Sequence, residues 1–200
     1  PAPRPRTEAE LTKALLGLDD LPPGWSVETP GQGGADNASP AMAATTAACR
    51  DFVALGNAPS APGSRAGAKS SFSAGQSGPF IDEGIDALGS RAKVAALLAR
   101  VEAANRSCKT VTLTLAGAGR STFDVAVVSP PRAGDHPVAV RITARGGDLD
   151  GLELTQVVTG VDDTVVSLTL VGSIPDDVAS STEAAVDKAT TALGATAAGV

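Results

Sequence analysis

The spacing of apolar residues divides the chain into two kinds of segment. From residue 110 to 171 apolar and polar residues alternate with a period of two, which is typical of antiparallel strands with one buried face. We predict five strands there, joined by turns at Gly117 to Arg120, Gly146 to Gly151 and Val161 to Asp163 and by a longer connection from Ser129 to His136. The predicted inward residues are Val111, Leu113, Leu115, Phe123, Val125, Val127, Val138, Val140, Ile142, Leu152, Leu154, Val158, Val166, Leu168 and Leu170.

Elsewhere the apolar residues recur at helical spacing. Thr7 and Glu10 form the pattern of a capping box, and Ser90 is a typical N-cap residue. Pro175 suits a first helical turn. The predicted helices cover residues 7 to 18, Pro40 to Gly56 with Ser39 as cap, Ser90 to about Asn105, and Pro175 to Leu193. In the second of these, five residues share one face: Met42, Thr46, Cys49, Phe52 and Val53.

These elements predict an α+β fold: a twisted antiparallel β-sheet, a meander of five or more strands, with helices packed on one face. A further hairpin is expected from segments 66 to 74 and 79 to 87, and a brief extended segment around Trp25 and Val27. Residues 30 to 40 have the composition of a surface loop. The length favours one domain, residues 7 to 195, between an extended tether (1 to 6) and a tail (196 to 200).

Composition narrows the classes of partner. The net charge of -6 argues against binding to nucleic acid or to an anionic membrane surface. The longest apolar stretches, such as Val94 to Leu98, are far shorter than the roughly 20 residues that cross a bilayer. The sequence lacks a starting Met and a hydrophobic signal segment, which fits the mature part of a secreted precursor and equally a truncated clone.

The chain has two cysteines, Cys49 and Cys108. Neither belongs to a C-x-x-C motif or has a histidine at ligand spacing, which argues against a structural zinc site. We predict that they form a disulfide in an oxidising compartment, and the alternative is a pair of reduced thiols in the core.

Sequence motifs for catalysis or cofactor binding are missing. His136 is the only histidine, and the chain has no G-x-S-x-G elbow to supply a nucleophile beside it. Asp148, Asp150 and Glu153 do not have EF-hand spacing. The carboxylate pairs Asp19-Asp20 and Asp82-Glu83 would serve a glycosidase only if the fold placed two carboxylates across a cleft. We therefore predict no catalytic residues, no metal and no cofactor.

The outward face of the predicted sheet offers the best candidate for a binding site. Arg141 and Arg145 would be cationic anchors for an anionic ligand, and Gln156, a polar break in an inward row, would orient it. Thr143 and Glu153 complete this candidate set, and Glu153 is placed to pair with Arg145 across a turn. The alternative is a solvated β face that is rich in threonine because threonine suits strands.

The order of motifs resembles a known family. Leu15-Leu16, then Asp20-Leu21-Pro22-Pro23-Gly24-Trp25, a helix with a cysteine, an apolar helix before a second cysteine and a run of strands ending in a helix are similar to the PknH-type extracellular sensor domain. This family occurs at the outer end of a mycobacterial receptor kinase and in many actinobacterial lipoproteins. The resemblance covers residues 7 to 195 and implies an extracytoplasmic domain with a ligand cleft. The family's sensor domain has two disulfides, whereas only Cys49 and Cys108 are present here.

The resemblance implies a non-catalytic sensor or ligand-binding domain of the lipoprotein type, located at the cell surface or secreted, and we predict that it is a monomer. Its anchor would be a lipid-modified residue upstream of Pro1, and its partner a small molecule or a cell-wall component. One alternative is a carrier that holds a lipid or another hydrophobic molecule between sheet and helices. A second alternative is a secreted hydrolase that depends on His136.

Overall fold

The fold is taken from a computed structural model that describes residues 4–28, 41–115 and 119–194. The described strands form one antiparallel sheet in the order β1-β3-β4-β9-β8-β7-β6-β5-β2. Their bounds are β1 Ser26–Val27, β2 Ala41–Ala44, β3 Ala66–Ser73, β4 Phe80–Ala87, β5 Thr110–Leu115, β6 Gly119–Val128, β7 Asp135–Arg145, β8 Glu153–Val161 and β9 Thr164–Val171. The predicted α+β class is confirmed, because β5 to β9 form the expected meander and β3 and β4 the expected hairpin.

Four α-helices accompany the sheet in the described part: α1 Glu8–Ala14, α2 Arg50–Gly56, α3 Arg91–Ser107 and α4 Pro175–Leu193. The predicted capping box of Thr7 and Glu10 begins α1, and the Ser90 side chain caps α3. α1 is shorter than predicted because the backbone becomes extended at Leu15, before a 3₁₀ turn at Leu18–Asp20.

The second predicted helix is wrong over its first half. Ala41–Ala44 is a strand that pairs with β5, and α2 begins only at Arg50. Pairing with an edge strand satisfies the backbone of this alanine-rich segment and overrides its helical propensity. The predicted cap at Ser39 and Pro40, and the predicted loop at 30–40, lie outside the described residues.

Helices cover both faces of the sheet, whereas the sequence placed them on one. α1 and α4 pack with Val157, Val166 and Leu168 on one side, which we call the α1–α4 face. α3 packs with Val158 and Val165 on the other, and α2 lies there too, so we call it the α2–α3 face. β8 and β9 therefore bury apolar residues at consecutive positions.

The predicted inward set is split by this arrangement. Val166, Leu168 and Leu170 face α1 and α4, while the buried residues of β5, β6 and β7 in that set face α2 and α3. Val127 is 51% exposed, so its predicted burial is wrong. The Leu115 side chain and residues 116–118 lie outside the described part.

The predicted disulfide between Cys49 and Cys108 is present. It joins the start of α2 to the end of α3, among Phe52, Val111 and Phe123. The disulfide lies in the core, since both cysteines are at most 1% exposed.

The N-terminal segment before α1 is docked on the domain. Residues 4–6 have no regular structure, and the side chain of Arg6 is only 19% exposed. Its guanidinium donates to Leu193 O at 2.7 Å and to Asp163 Oδ1 at 3.1 Å. Arg6 therefore ties this segment to the β8–β9 turn and the end of α4.

Candidate functional site

Two adjoining cavities lie on the α2–α3 face, between the central strands and the chain that follows α2. The larger has a volume of about 750 Å³ and the smaller one of about 240 Å³. Together we call them the groove, because they share the lining residues Gly56, Ala58, Pro59, Lys69, Asp82, Gln156 and Thr169.

The outer wall of the groove is the segment 57–62, and hydrogen bonds hold it at both ends. At its start Met42 N–H donates to Asn57 Oδ1 at 3.0 Å, and Asn57 Nδ2 donates to Met42 O at 2.8 Å. Near its end Ala61 N–H donates to the buried Asp86 at 3.0 Å. The wall is thus fixed to β2 on one side and to β4 on the other.

Three polar side chains cross the floor of the groove in a line that we call the polar row. Asp82 on β4 lies opposite Thr169 on β9, and Thr169 lies opposite Gln156 on β8. Because neighbouring strands lie about 4.8 Å apart, the row is about 10 Å long. Thr169 and Gln156 are half-buried, whereas Asp82 is exposed and accepts a hydrogen bond from Ser71 Oγ at 2.6 Å. The row offers donors and acceptors to a ligand.

A second line of side chains, the apolar row, runs beside the polar row. Val171, Leu154 and Ile142 lie opposite one another on β9, β8 and β7 and are half-buried. On β8 and β9 each is two residues from its polar neighbour, a separation of about 7 Å on the same face. The larger cavity continues from this row onto Met42, Val111, Leu113, Phe123 and Leu152. The groove is therefore polar along one side and apolar along the other.

A buried carboxylate lies directly behind the groove, on the opposite side of β4. Glu83 is 2% exposed and accepts hydrogen bonds from Leu16 N–H at 2.7 Å and Ser70 Oγ at 3.1 Å. Burial raises the pKa of Glu83 to about 7, against the effect of these two hydrogen bonds and of nearby Lys188. The adjacent Asp82 faces the groove, so the two members of the Asp82-Glu83 pair point to opposite faces and do not share a cleft.

The five ligand-binding residues predicted from sequence do not form one cluster. Arg141, Thr143 and Glu153 lie on the α1–α4 face, where Arg141 lines a separate cavity of about 260 Å³. Gln156 points to the α2–α3 face and lines the groove. Arg145 is exposed at the end of β7. A binding role for Arg141, Arg145, Thr143 and Glu153 stays a prediction.

The ion pairs around these residues differ from the expected one. Arg145 pairs with Asp124, and Glu153 lies 3.1 Å from Arg141 Nε, an ion pair without hydrogen-bond geometry. The predicted pairing of Arg145 with Glu153 is wrong. Thr143 lies opposite both acids, so Asp124 and Glu153 are each diagonal to both arginines, and Arg145 takes the acid on β6 while Arg141 takes the acid on β8.

Sequence reasoning missed Lys69, Asp82 and Thr169 as groove residues. Gln156 can be identified from the sequence because it is a polar residue that interrupts an apolar alternation. Thr169 gave no such signal, since alternation in β9 alone assigns it to the outward set. Lys69 on β3 and Asp82 on β4 reach the groove only because β4 pairs with β9. The strands β4 and β9 are remote from each other in sequence.

The other candidate features do not assemble into a site. His136 is exposed at the start of β7, where the strand pairing shifts, and has a positive φ of 47°. Over the described ranges, no group of three or more His, Cys, Asp or Glu side chains is arranged to hold a metal ion. No described helix is long and apolar enough to span a membrane.

The fold is similar to that of a solved structure, the extracellular domain of PknH from Mycobacterium tuberculosis. The two chains are 18% identical, with a TM-score of 0.66 over 94% of this chain and 98% of the other. No family model matches this sequence. A search of curated proteins likewise finds no match. The likeness shows that the two domains share a fold.

Proposed function

We propose that this chain is an extracytoplasmic ligand-binding or sensor domain without catalytic activity, and that the groove holds its ligand. The groove carries this proposal: a concave site with a mainly apolar lining and a few convergent polar groups is the usual form of a small-molecule site. The shared fold with an extracellular domain supports the location, and so does a disulfide, which persists in oxidising compartments.

A lipid anchor upstream of Pro1 would keep the domain at the cell surface, and the ligand would be a small molecule or a cell-wall component. The groove needs no metal or cofactor for this role.

A carrier of lipid is the second candidate, and the apolar lining of the larger cavity favours it. A carrier and a sensor differ in what they do with the ligand. A carrier transfers a fluorescent acyl probe from donor to acceptor vesicles at a rate that increases with protein concentration, whereas a sensor binds the probe without increasing its transfer.

The location of the site is tested by native mass spectrometry of protein purified from its own host. We expect a co-purifying mass that is lost in Thr169→Phe, which fills the groove with a residue that suits strands. Thr143→Phe is the matched control, because it adds the same ring on the opposite face. Loss of the mass in Thr143→Phe but not in Thr169→Phe would place the site on the α1–α4 face and overturn the proposal.

A further inference from the structure

Two opposite charges face the groove without pairing with each other. Lys69 and Asp82 line both cavities and are exposed. Across the described segments neither side chain belongs to an ion pair. Charged groups on neighbouring strands commonly pair, so two that remain apart beside a cavity are both available to a ligand.

The position of Lys69 follows from the residue opposite it. Lys69 lies opposite Gly84, and a Cβ built on that glycine would be 3.9 Å from Lys69 Cγ. The lysine stem therefore lies over a strand position that has no side chain. Asp82 is two residues from Gly84 on the same face, a diagonal neighbour at about 7 to 8 Å. A cation and an anion are thus held at one end of the polar row.

The chemistry along the groove changes in a fixed order. The charged pair lies at the β3–β4 end, the uncharged side chains of Thr169 and Gln156 come next with the apolar row beside them, and the remaining apolar lining of the larger cavity lies beyond, toward β5 and β6. A wholly apolar ligand would cover these polar groups without replacing their hydrogen bonds to water, at a cost in free energy. A ligand with only a negative or only a positive group would be repelled by one member of the charged pair.

From this order we infer that the groove binds a single-chain amphiphile with a zwitterionic headgroup. The inference rests on the proposed function and adds the class of ligand. The anionic part of the headgroup lies at Lys69, the cationic part lies near Asp82, and the hydrocarbon chain follows the apolar row past Leu154 into the larger cavity. Thr169 and Gln156 hydrogen-bond the atoms between head and chain.

Four probes with the same dodecyl chain test the inference by calorimetry, each kept below its critical micelle concentration. They are dodecylphosphocholine, dodecyl phosphate, dodecyltrimethylammonium and dodecyl maltoside. We expect dodecylphosphocholine to bind about tenfold more tightly than the others, which is the effect of about one charge-assisted contact. Lys69→Met should shift the preference toward dodecyltrimethylammonium, and Asp82→Asn should shift it toward dodecyl phosphate.

Matched controls remove the same charges elsewhere on the surface. Lys93→Met on α3 and Asp187→Asn on α4 lie outside both cavities and should leave the headgroup preference unchanged. For the apolar row, Leu154→Ser should weaken all four probes together, and Val127→Ser, on the same face but outside the groove, should not.

Equal affinity of the wild type for the four headgroups would overturn the inference that the groove binds a zwitterionic headgroup. A preference for dodecylphosphocholine that survives both charge-removing variants would overturn it too. If in that case a host-derived mass still co-purifies and is lost in Thr169→Phe, the groove is a binding site for a different class of ligand. If neither probe nor host-derived mass binds, the proposed function fails as well.

Discussion

The carboxylate of Glu83 accepts the backbone N–H of Leu16 at 2.7 Å, and so joins the chain after α1 to the centre of the sheet. This contact is completely enclosed, because Glu83 is 2% and Leu16 4% exposed. The other carboxylate oxygen of Glu83 is buried without a hydrogen-bond partner in the described structure. A group in this position stabilises the fold best when it carries a proton.

The first prediction concerns the effect of pH on stability. The pKa of Glu83 rises from its ordinary value of 4.5 to about 7, mainly through burial. Below pH 4.5 Glu83 is protonated in both the folded and the unfolded state. Between pH 4.5 and about 7 the folded state holds the proton more tightly than the unfolded state. The stability that the protonated side chain contributes is therefore lost as the pH rises through this range. We expect the free energy of unfolding to fall by up to about 3 kcal/mol across this window, measured by urea titration.

Glu83→Gln isolates this contribution, because an amide oxygen still accepts from Leu16 and the side chain no longer titrates. We expect the pH dependence between 4.5 and 7 to flatten in this variant and to persist in Glu183→Gln, an exposed control on α4. Glu10 and Asp20, whose pKa values are lowered by hydrogen bonds and neighbouring cations, act below this window. Equal slopes in wild type and Glu83→Gln would contradict the prediction.

The second prediction concerns the disulfide. Cys49 and Cys108 are 59 positions apart, and removing a cross-link of that span costs about 4 kcal/mol in the chain-entropy account. We expect the double variant Cys49→Ala/Cys108→Ala to lose stability of this order in guanidinium titration. Intact mass after alkylation under denaturing conditions provides the direct check: without reductant neither cysteine should react. Alkylation of both would show that the thiols are free.

How far the fold could be predicted depended on whether each signal was local. The alternation of β5 to β9 and the caps at Thr7 and Ser90 are local, and the predicted elements appeared. The second helix failed because the pairing of Ala41–Ala44 with β5 joins segments about 70 residues apart. Helices on both faces were missed although a local signal exists: consecutive apolar residues such as Val157 and Val158 are typical of a strand that is buried on both sides, and the prediction followed the alternation alone.

The groove was harder to predict than the fold, for a related reason. Its floor is a product of pairing order: Asp82 meets Thr169 only because β4 adds to the far side of β9. Arg141, Thr143 and Glu153 do share one face of the sheet. That face is the opposite one from Gln156, the one predicted residue that lines the groove.

The third prediction concerns the N-terminal segment. Arg6 is the contact by which this segment reaches Asp163, which is 7% exposed, and Leu193 at the end of α4. Arg6→Met keeps the length of the side chain but leaves a buried carboxylate without its cation, and we expect a loss of about 1 to 2 kcal/mol. Arg4→Met is the control, since Arg4 is 72% exposed and contacts only Glu10 among the described acids. Thermal unfolding should separate the two variants, and equal midpoints would show that the segment is not anchored by Arg6.

The last prediction compares two glycines that share a positive φ but differ in their surroundings. Gly134, with φ of 73°, lies against β8: a Cβ there would meet Thr159 Oγ1 and stand 2.8 Å from Gly160 O. Thr159 is fully buried and donates to Ala133 O at 2.9 Å, so it has little room to move. At Gly151, with φ of 81°, no heavy atom other than those of the glycine and its two chain neighbours lies within 4 Å of the same position. Gly151→Ala should therefore cost only the conformational strain of about 1 kcal/mol, whereas Gly134→Ala should cost at least about 2 kcal/mol. Urea titration of both variants tests this difference; equal losses would mean that the connection before β7 moves away from β8 at no cost.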